Sequence, residues 1–195
     1  MKSPIDKILK VRKPNPKHRI INEIANRWSP RFFSAEPVPR EHLDTMFEAA
    51  RWAPSAHNYQ PWQYFFALKG TTTYDKLLST LNNYNQSWAQ TAPVLILACA
   101  ITKAGGKVNR FAVYDLGASV ISFILQAQSL GYYSRQMGLF DKEKIREYFR
   151  LKKELDPFVV IALGKIGNYT NASKEIIETE LDPRPRKQNI VGKLE

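Results

Sequence analysis

Ala53-Pro54-Ser55-Ala56-His57-Asn58-Tyr59-Gln60-Pro61-Trp62 is a polar turn bracketed by two prolines, set between a helical pattern and an apolar strand pattern. Packing does not account for it, because the prolines fix the backbone while Ser, His, Asn and Gln side chains keep donors and acceptors in a loop. Upstream, Pro37-Val38-Pro39 opens a helix in which Leu43, Met46, Phe47, Ala50 and Arg51 fall on successive turns, and Pro54 ends it. Downstream, the apolar run Gln63–Leu68 predicts a buried strand.

Farther out, Val94–Ile101 follows Ala92-Pro93 as a near-continuous apolar run and predicts the central strand. Gly105-Gly106 interrupts the pattern in a Lys-flanked loop. A long helix is expected from about Arg110 to Leu130, with Val113, Leu116, Gly117, Val120, Ile121, Ile124 and Ala127 on one face and Phe123 and Leu130 widening it. A helix of that girth is covered either by the core or by another subunit. Gly131 closes it as a C-terminal glycine does, and Tyr132–Phe140 reads as extended. Asp141 is a suitable N-cap for a helix over Lys142–Leu155, and Pro157 begins a second buried strand over Phe158–Leu163. Between the first two strands lie an expected helix over Tyr74–Leu81 and a polar loop, Asn82-Asn83-Tyr84-Asn85. After Gly167 the chain reads as a polar tail ending in Asp182-Pro183-Arg184-Pro185-Arg186-Lys187.

A chain of 195 residues is the size of one domain, and 44% hydrophobic residues suffice for a core. The expectation is one α/β or α+β domain over 20–195, beginning with a short helix at Ile20–Ala25, behind a basic arm over 1–19. Within the arm, Ile5, Ile8 and Leu9 have helical spacing and the remainder reads as extended. Lys and Arg outnumber Asp and Glu by 29 to 18, a net charge of +11, which favours an anionic partner: a phosphorylated cofactor, nucleic acid or an acidic surface. The single cysteine, Cys99, lies in the central strand and forms no intrachain disulfide. No apolar signal core or membrane-length run is present, so a cytoplasmic protein without a membrane partner is expected.

Familiar catalytic arrangements are missing. His18, His42 and His57 stand far apart without acids or cysteines at ligand spacing, which argues against a metal site. There is no phosphate-binding glycine loop, nucleophile elbow or Walker motif. Arg27 and Arg31 flank Ser29 in a turn broken by Pro30, and guanidinium forks of this kind can each bond two phosphate oxygens. Phosphate-friendly arginines without an evident acid, base or nucleophile point to a bound cofactor that carries the chemistry.

Taken in order, several segments together resemble the nitroreductase family of FMN-dependent flavoproteins: Arg27-Trp28-Ser29-Pro30-Arg31-Phe32, the Ala49–Trp62 stretch, Ala92-Pro93 with its strand, the Asp115-to-Gly131 helix, Gln136–Asp141, Ile161–Gly164 and Arg184-Pro185-Arg186-Lys187. The most specific part is Pro-Ser-x-x-Asn-x-Gln-Pro-Trp, and the resemblance spans roughly 20–190. It implies an α+β fold with a central, mostly antiparallel sheet flanked by helices, in an intertwined homodimer that holds FMN at the subunit interface. It further implies that Arg27, Trp28, Ser29 and Arg31 contact the ribityl phosphate and the pyrimidine edge, and that Arg184 and Arg186 return to the same phosphate. Pro54, Ser55, Ala56, Asn58 and Gln60 would line the flavin ring from the other subunit. Gln136, Met137, Gly138 and Leu139 would lie along its opposite side with a backbone N–H near Gly138 aimed at N5, and Asn85 is a further polar candidate. No side chain is expected to be catalytic in its own right. NADH or NADPH would donate hydride in a ping-pong cycle, and a small electron-poor acceptor such as a nitroaromatic or quinone would receive it.

The sequence departs from the family pattern at Arg135, where histidine is frequent, and at Leu139-Phe140, where glycine-phenylalanine is frequent. The roles of Arg135, His57 and the arm stay open. The alternatives are a basic module for nucleic acid or another polyanion, and a family member that cleaves carbon–halogen bonds or transforms the flavin.

Overall fold

A computed structural model describes residues 3–188 and 190–194; Met1 and Lys2, which open the expected arm, lie outside the described residues. In chain order the elements are α1 (Pro4–Arg12), α2 (Asn22–Asn26), α3 (Arg40–Arg51), β1 (Trp62–Leu68), α4 (Thr72–Ser79), α5 (Asn83–Ala89), β2 (Val94–Ile101), β3 (Lys103–Ala104), β4 (Lys107–Val108), α6 (Ala112–Ser129), β5 (Tyr133–Met137), α7 (Lys142–Phe149), β6 (Leu155–Gly164) and α8 (Lys174–Leu181). The strands β1-β2-β6-β5 form one antiparallel sheet in that order.

The central strand is β2, and its pleat explains the apolar run. Successive side chains point to opposite faces. Ile96, Ala98 and Ala100 join α3 and α6 through Leu43, Met46, Leu116, Val120 and Phe123. Leu95, Leu97 and Cys99 join α4, α5 and α7 through Tyr74, Leu77, Trp88 and Ile145. With helices on both faces and a strand on each side, almost every position of β2 is buried. The expected α+β architecture is therefore the observed one. Cys99 is a core residue whose thiol is pushed up to about 12, chiefly by burial.

Several local expectations are corrected. β1 is an edge strand rather than a buried one: Tyr64 and Phe66 pack against Phe47, while Gln63 and Phe65 face outward. The polar run at Asn82–Asn85 is the start of α5, because Asn82 is its N-cap and its side-chain carbonyl accepts the Asn85 N–H at 2.9 Å. Helix α7 starts at its expected cap, Asp141, but ends at Phe149 because Arg150 takes the left-handed conformation; Leu155 already belongs to β6. Pro157 lies inside β6, beside a register shift opposite Ala98 and Cys99 that accommodates a residue without an N–H. The Gly105-Gly106 loop is the turn of the β3–β4 hairpin, with φ of +55° and +77°. The tail contains a further helix, α8, capped by Ser173.

Helix α6 is buried on one face only. Ala112, Asp115, Leu116, Ser119, Val120, Phe123, Ile124 and Ala127 face the core, whereas Val113, Tyr114, Gly117 and Ile121 are exposed. Val113, Gly117 and Ile121 thus do not share the core face with Leu116 as the periodicity suggested. Among the described residues no helix is long and apolar enough to cross a membrane.

Candidate functional site

Two regions carry the polar groups singled out in the sequence. The first is a cationic pocket of about 330 Å³ lined by Arg12, Arg27, Trp28, Ser29, Arg31, Arg135, Thr179, Asp182, Arg184 and Arg186. Helix α2 ends at Arg27, whose extended backbone starts the turn that sets Arg27 and Arg31 on one side. An Arg27 guanidinium N–H donates to the Ser29 hydroxyl at 3.3 Å. Strand β5 brings Arg135 across to donate to the Ser29 carbonyl at 2.6 Å, with its guanidinium 5.3 Å from the Trp88 ring centre. From the C-terminal side, Arg184 donates to the carbonyls of Arg27 and Ala25, which pins the tail against the end of α2. Arg186 donates to the carbonyls of Arg184 and Pro185.

The cations crowd one another. Burial, and then Arg186, lowers the affinity of Arg27 for its proton; burial, then Arg186 and Arg27, does the same for Arg184. Burial and Arg31 depress Arg135. Beneath the pocket lies Glu180, fully buried on α8, which accepts the Arg31 backbone N–H at 2.9 Å and faces guanidinium groups of Arg31 at 3.4 Å and Arg12 at 3.5 Å. Burial pushes its carboxyl up while Arg31, Arg12 and Arg135 pull it back. The Nε atoms of Arg12 and Arg31 are buried without a hydrogen-bond partner. Excess guanidinium and unsatisfied donors are the donor set a phosphate monoester requires, so the residues present suit the phosphate that the family resemblance implies. Trp28 is almost fully buried, packed with Ile8 and edge-on to Tyr133 at 5.9 Å, and serves as a wall.

The second region is the turn itself. Ala56–Asn58 forms a single 3-10 turn in which His57 and Asn58, and then Gln60, have φ of 51°, 55° and 47°. Three non-glycine residues in the left-handed region are a local concentration of backbone strain. Asp115, 3% exposed, holds the turn by accepting the Ala56 N–H at 3.1 Å, and the Ser55 hydroxyl accepts the Gln60 N–H at 2.9 Å. Pro54, His57, Asn58, Tyr59 and Gln60 remain exposed.

The expected phosphate residues Arg27, Ser29, Arg31, Arg184 and Arg186 come together within the chain, and Arg135 joins them. Gln136 follows Arg135 on β5 and Gly138 and Leu139 lie just past its end; all three are exposed, whereas the Met137 side chain turns into the core. Asn85 is half-buried in the first turn of α5, whose N-cap Asn82 donates its N–H to the Leu139 carbonyl at 3.2 Å. Pro54, Ser55, Ala56, Asn58 and Gln60 do not join this group. They precede β1, at the edge of the sheet opposite β5, and three inter-strand steps separate those edges by about 14 Å.

Sequence reading missed Arg12, Asp115 and Glu180. A signal existed for two of them: Ile5, Ile8 and Arg12 share one helical face, and Ile176, Ile177, Glu180 and Leu181 share another.

The profile of the nitroreductase family matches residues 24–165. A protein of Mycolicibacterium smegmatis with no assigned activity is 34% identical over 114 residues, covering 58% of this chain and 76% of its own. A relative from Methanothermobacter thermautotrophicus, provisionally named an NADH dehydrogenase/NAD(P)H nitroreductase, is 29% identical over 149 residues, covering 74% of this chain and 76% of its own. Among solved structures, the crystal structure of an oxidoreductase containing FMN superposes with a TM-score of 0.86 at 28% identity, covering 93% of this chain and 94% of that one.

Proposed function

The chain belongs to the nitroreductase family, and on that premise we propose that it is an FMN-dependent oxidoreductase that takes hydride from NADH or NADPH and passes it to a small electron-poor acceptor such as a nitroaromatic or a quinone. The observation that carries this reading is the cationic pocket, where arginines from four separate segments surround a space suited to one phosphate. The FMN-containing structure that resembles nearly the whole chain supports it.

When bound, the flavin supplies the hydride chemistry, and the chain supplies binding, orientation and electrostatics. Arg27, Arg31, Arg184 and Arg186 hold the phosphate, with Ser29 as a further polar contact and Trp28 as a wall. Arg135 continues this cationic wall along β5 towards Gln136, Met137, Gly138 and Leu139, where a backbone N–H near Gly138 would serve as a donor to the ring. Donors fixed in place stabilise negative charge as it develops there. Asn85 stands beside that segment on α5. In this reading the protons come from water rather than from a dedicated side chain.

The remaining wall comes from a second copy. Pro54, Ser55, Ala56, Asn58 and Gln60 lie on the wrong edge of the sheet to reach the pocket of their own chain. The exposed stripe Val113, Gly117 and Ile121 on α6 adjoins that turn through Asp115, and a Cβ on Gly117 would meet nothing within 4 Å. An apolar stripe with an open glycine is suited to close helix contact. These features favour a homodimer with two equivalent sites, each made of one copy's arginines and the other copy's turn. Residues 20–195 act as one domain in this arrangement, with α1 of the expected arm docked on it through Ile8.

Reconstitution tests the reading. The purified protein should turn yellow with FMN, and NADH or NADPH should bleach it under anaerobic conditions. A protein that stays colourless with excess FMN, or that stays oxidised with both nucleotides, would contradict it.

A further inference from the structure

Helix α1 precedes the segment that matches the family profile, yet it is built into the protein. Ser3 and Asp6 cap it reciprocally, with the Ser3 N–H donating to Asp6 at 3.2 Å and the Asp6 N–H to Ser3 at 3.4 Å. Ile8 is fully buried with Trp28 and Tyr169, and the helix packs on α8. Ile5, Ile8 and Arg12 recur three and four residues apart, so the face that docks the helix also delivers Arg12 to the cationic pocket.

There the Arg12 guanidinium lies 5.0 Å from the Trp28 ring centre. Its Nη2 donates to the Thr179 carbonyl at 3.2 Å and to Glu180 Oε2 at 3.5 Å, and its Nε is buried without a partner. Glu180 is shared between two cations, giving Oε1 to Arg31 and Oε2 to Arg12. Two carboxylates, Glu180 and the Asp182 that lines the same pocket, cannot balance these two cations and the four further arginines around the space. A phosphate dianion would supply the missing charge at the point where α1, α8 and the tail converge.

Resting on the flavin reading above, we propose that Arg12 is a further ligand of the cofactor phosphate and that α1 is a clasp. Its docking and phosphate binding reinforce each other. Glu180 is the positioning residue, holding Arg12 and Arg31 side by side through its two oxygens. By linkage, the factor by which docked α1 tightens phosphate binding is the factor by which phosphate favours docking. Riboflavin, which has the same ring without the phosphate, does not draw on this coupling.

The test measures binding of FMN and riboflavin to the full chain and to Arg12→Ala, together with hydrogen exchange of the α1 amides in the unaltered protein. We expect Arg12→Ala to lose roughly ten- to a hundredfold in FMN affinity, the range for a charge-assisted hydrogen bond, with riboflavin affinity unchanged. In the unaltered protein, FMN should slow exchange in α1 and riboflavin should not. The exchange measurement needs no variant, so it decides the matter even if Arg12→Ala folds poorly. Equal losses for both flavins, undiminished FMN affinity, or α1 exchange indifferent to FMN would each overturn the clasp and leave the flavin reading intact. An unaltered protein that takes up neither flavin would overturn the flavin reading and the clasp with it.

Discussion

The strained turn and the cationic pocket are both held by one buried carboxylate, and they differ in what that carboxylate restrains. Asp115 holds a backbone N–H in a turn whose strain is steric, with three non-glycine residues at positive φ. Glu180 holds guanidinium groups in a pocket whose strain is electrostatic, because like charges converge on it from distant parts of the chain. Steric strain responds to the choice of residue and is indifferent to salt. Electrostatic strain is relieved by an anion and screened by salt. A pocket under the second kind of strain is poised to bind; a turn under the first kind is poised to present a fixed surface.

The contrast breaks most visibly at Glu180. Glu180→Ala leaves Arg12 and Arg31 buried beside each other and the Arg31 N–H unpaired, and should cost about 3–5 kcal/mol of stability. Urea denaturation would measure this, and a loss below about 1 kcal/mol would mean that solvent already screens the pair. Next in size is the response to an anion. At a hundred times its dissociation constant, FMN should stabilise the protein by about 2.7 kcal/mol. That gain should vanish in the double variant Arg27→Ala/Arg186→Ala, and thermal melts with and without FMN report it.

Asp115→Ala should cost about 1–3 kcal/mol by leaving the Ala56 N–H without its acceptor. Its effect should be the same in low and high salt, where the effect of Glu180→Ala should not be. The smallest expected change has the opposite sign. Asn58→Gly removes the Cβ clash of a left-handed residue and should stabilise the protein by about 1 kcal/mol, again independently of salt. A destabilising Asn58→Gly would show that the Asn58 side chain, rather than its backbone, holds the turn.

The two regions were also unequally legible. The turn is contiguous, and its prolines and polar side chains stand together in the sequence, so it was recognisable as a site before any fold was known. The central strand was equally plain because helices cover both of its faces and every position is apolar. Arg12 apart, the pocket's arginines are recognisable one by one in the sequence, but the groups that organise them are not. Glu180 lies 149 residues from Arg31 and 168 from Arg12, and no local periodicity encodes a partner at that distance. The sequence of α8 reads as polar tail because its apolar face is only one side of two turns. Helix α5 was hidden by its own cap, since a run of asparagines looks like a loop until Asn82 is seen to bond the Asn85 N–H. Asp115 was noticed only as the start of a helix segment, because the amide it holds lies 59 residues away.

If, as proposed, each site joins one copy's arginines to the other copy's turn, two differently damaged copies should complement each other. One copy carries Arg27→Ala/Arg186→Ala, the other has 54–60 replaced by glycines, and each alone should retain no FMN. Co-expressed, they should recover about a quarter of the unaltered FMN content, because half of the randomly paired dimers are mixed and each mixed dimer has one intact site. Recovery of none would contradict the account, since it would place both halves of the site within a single chain.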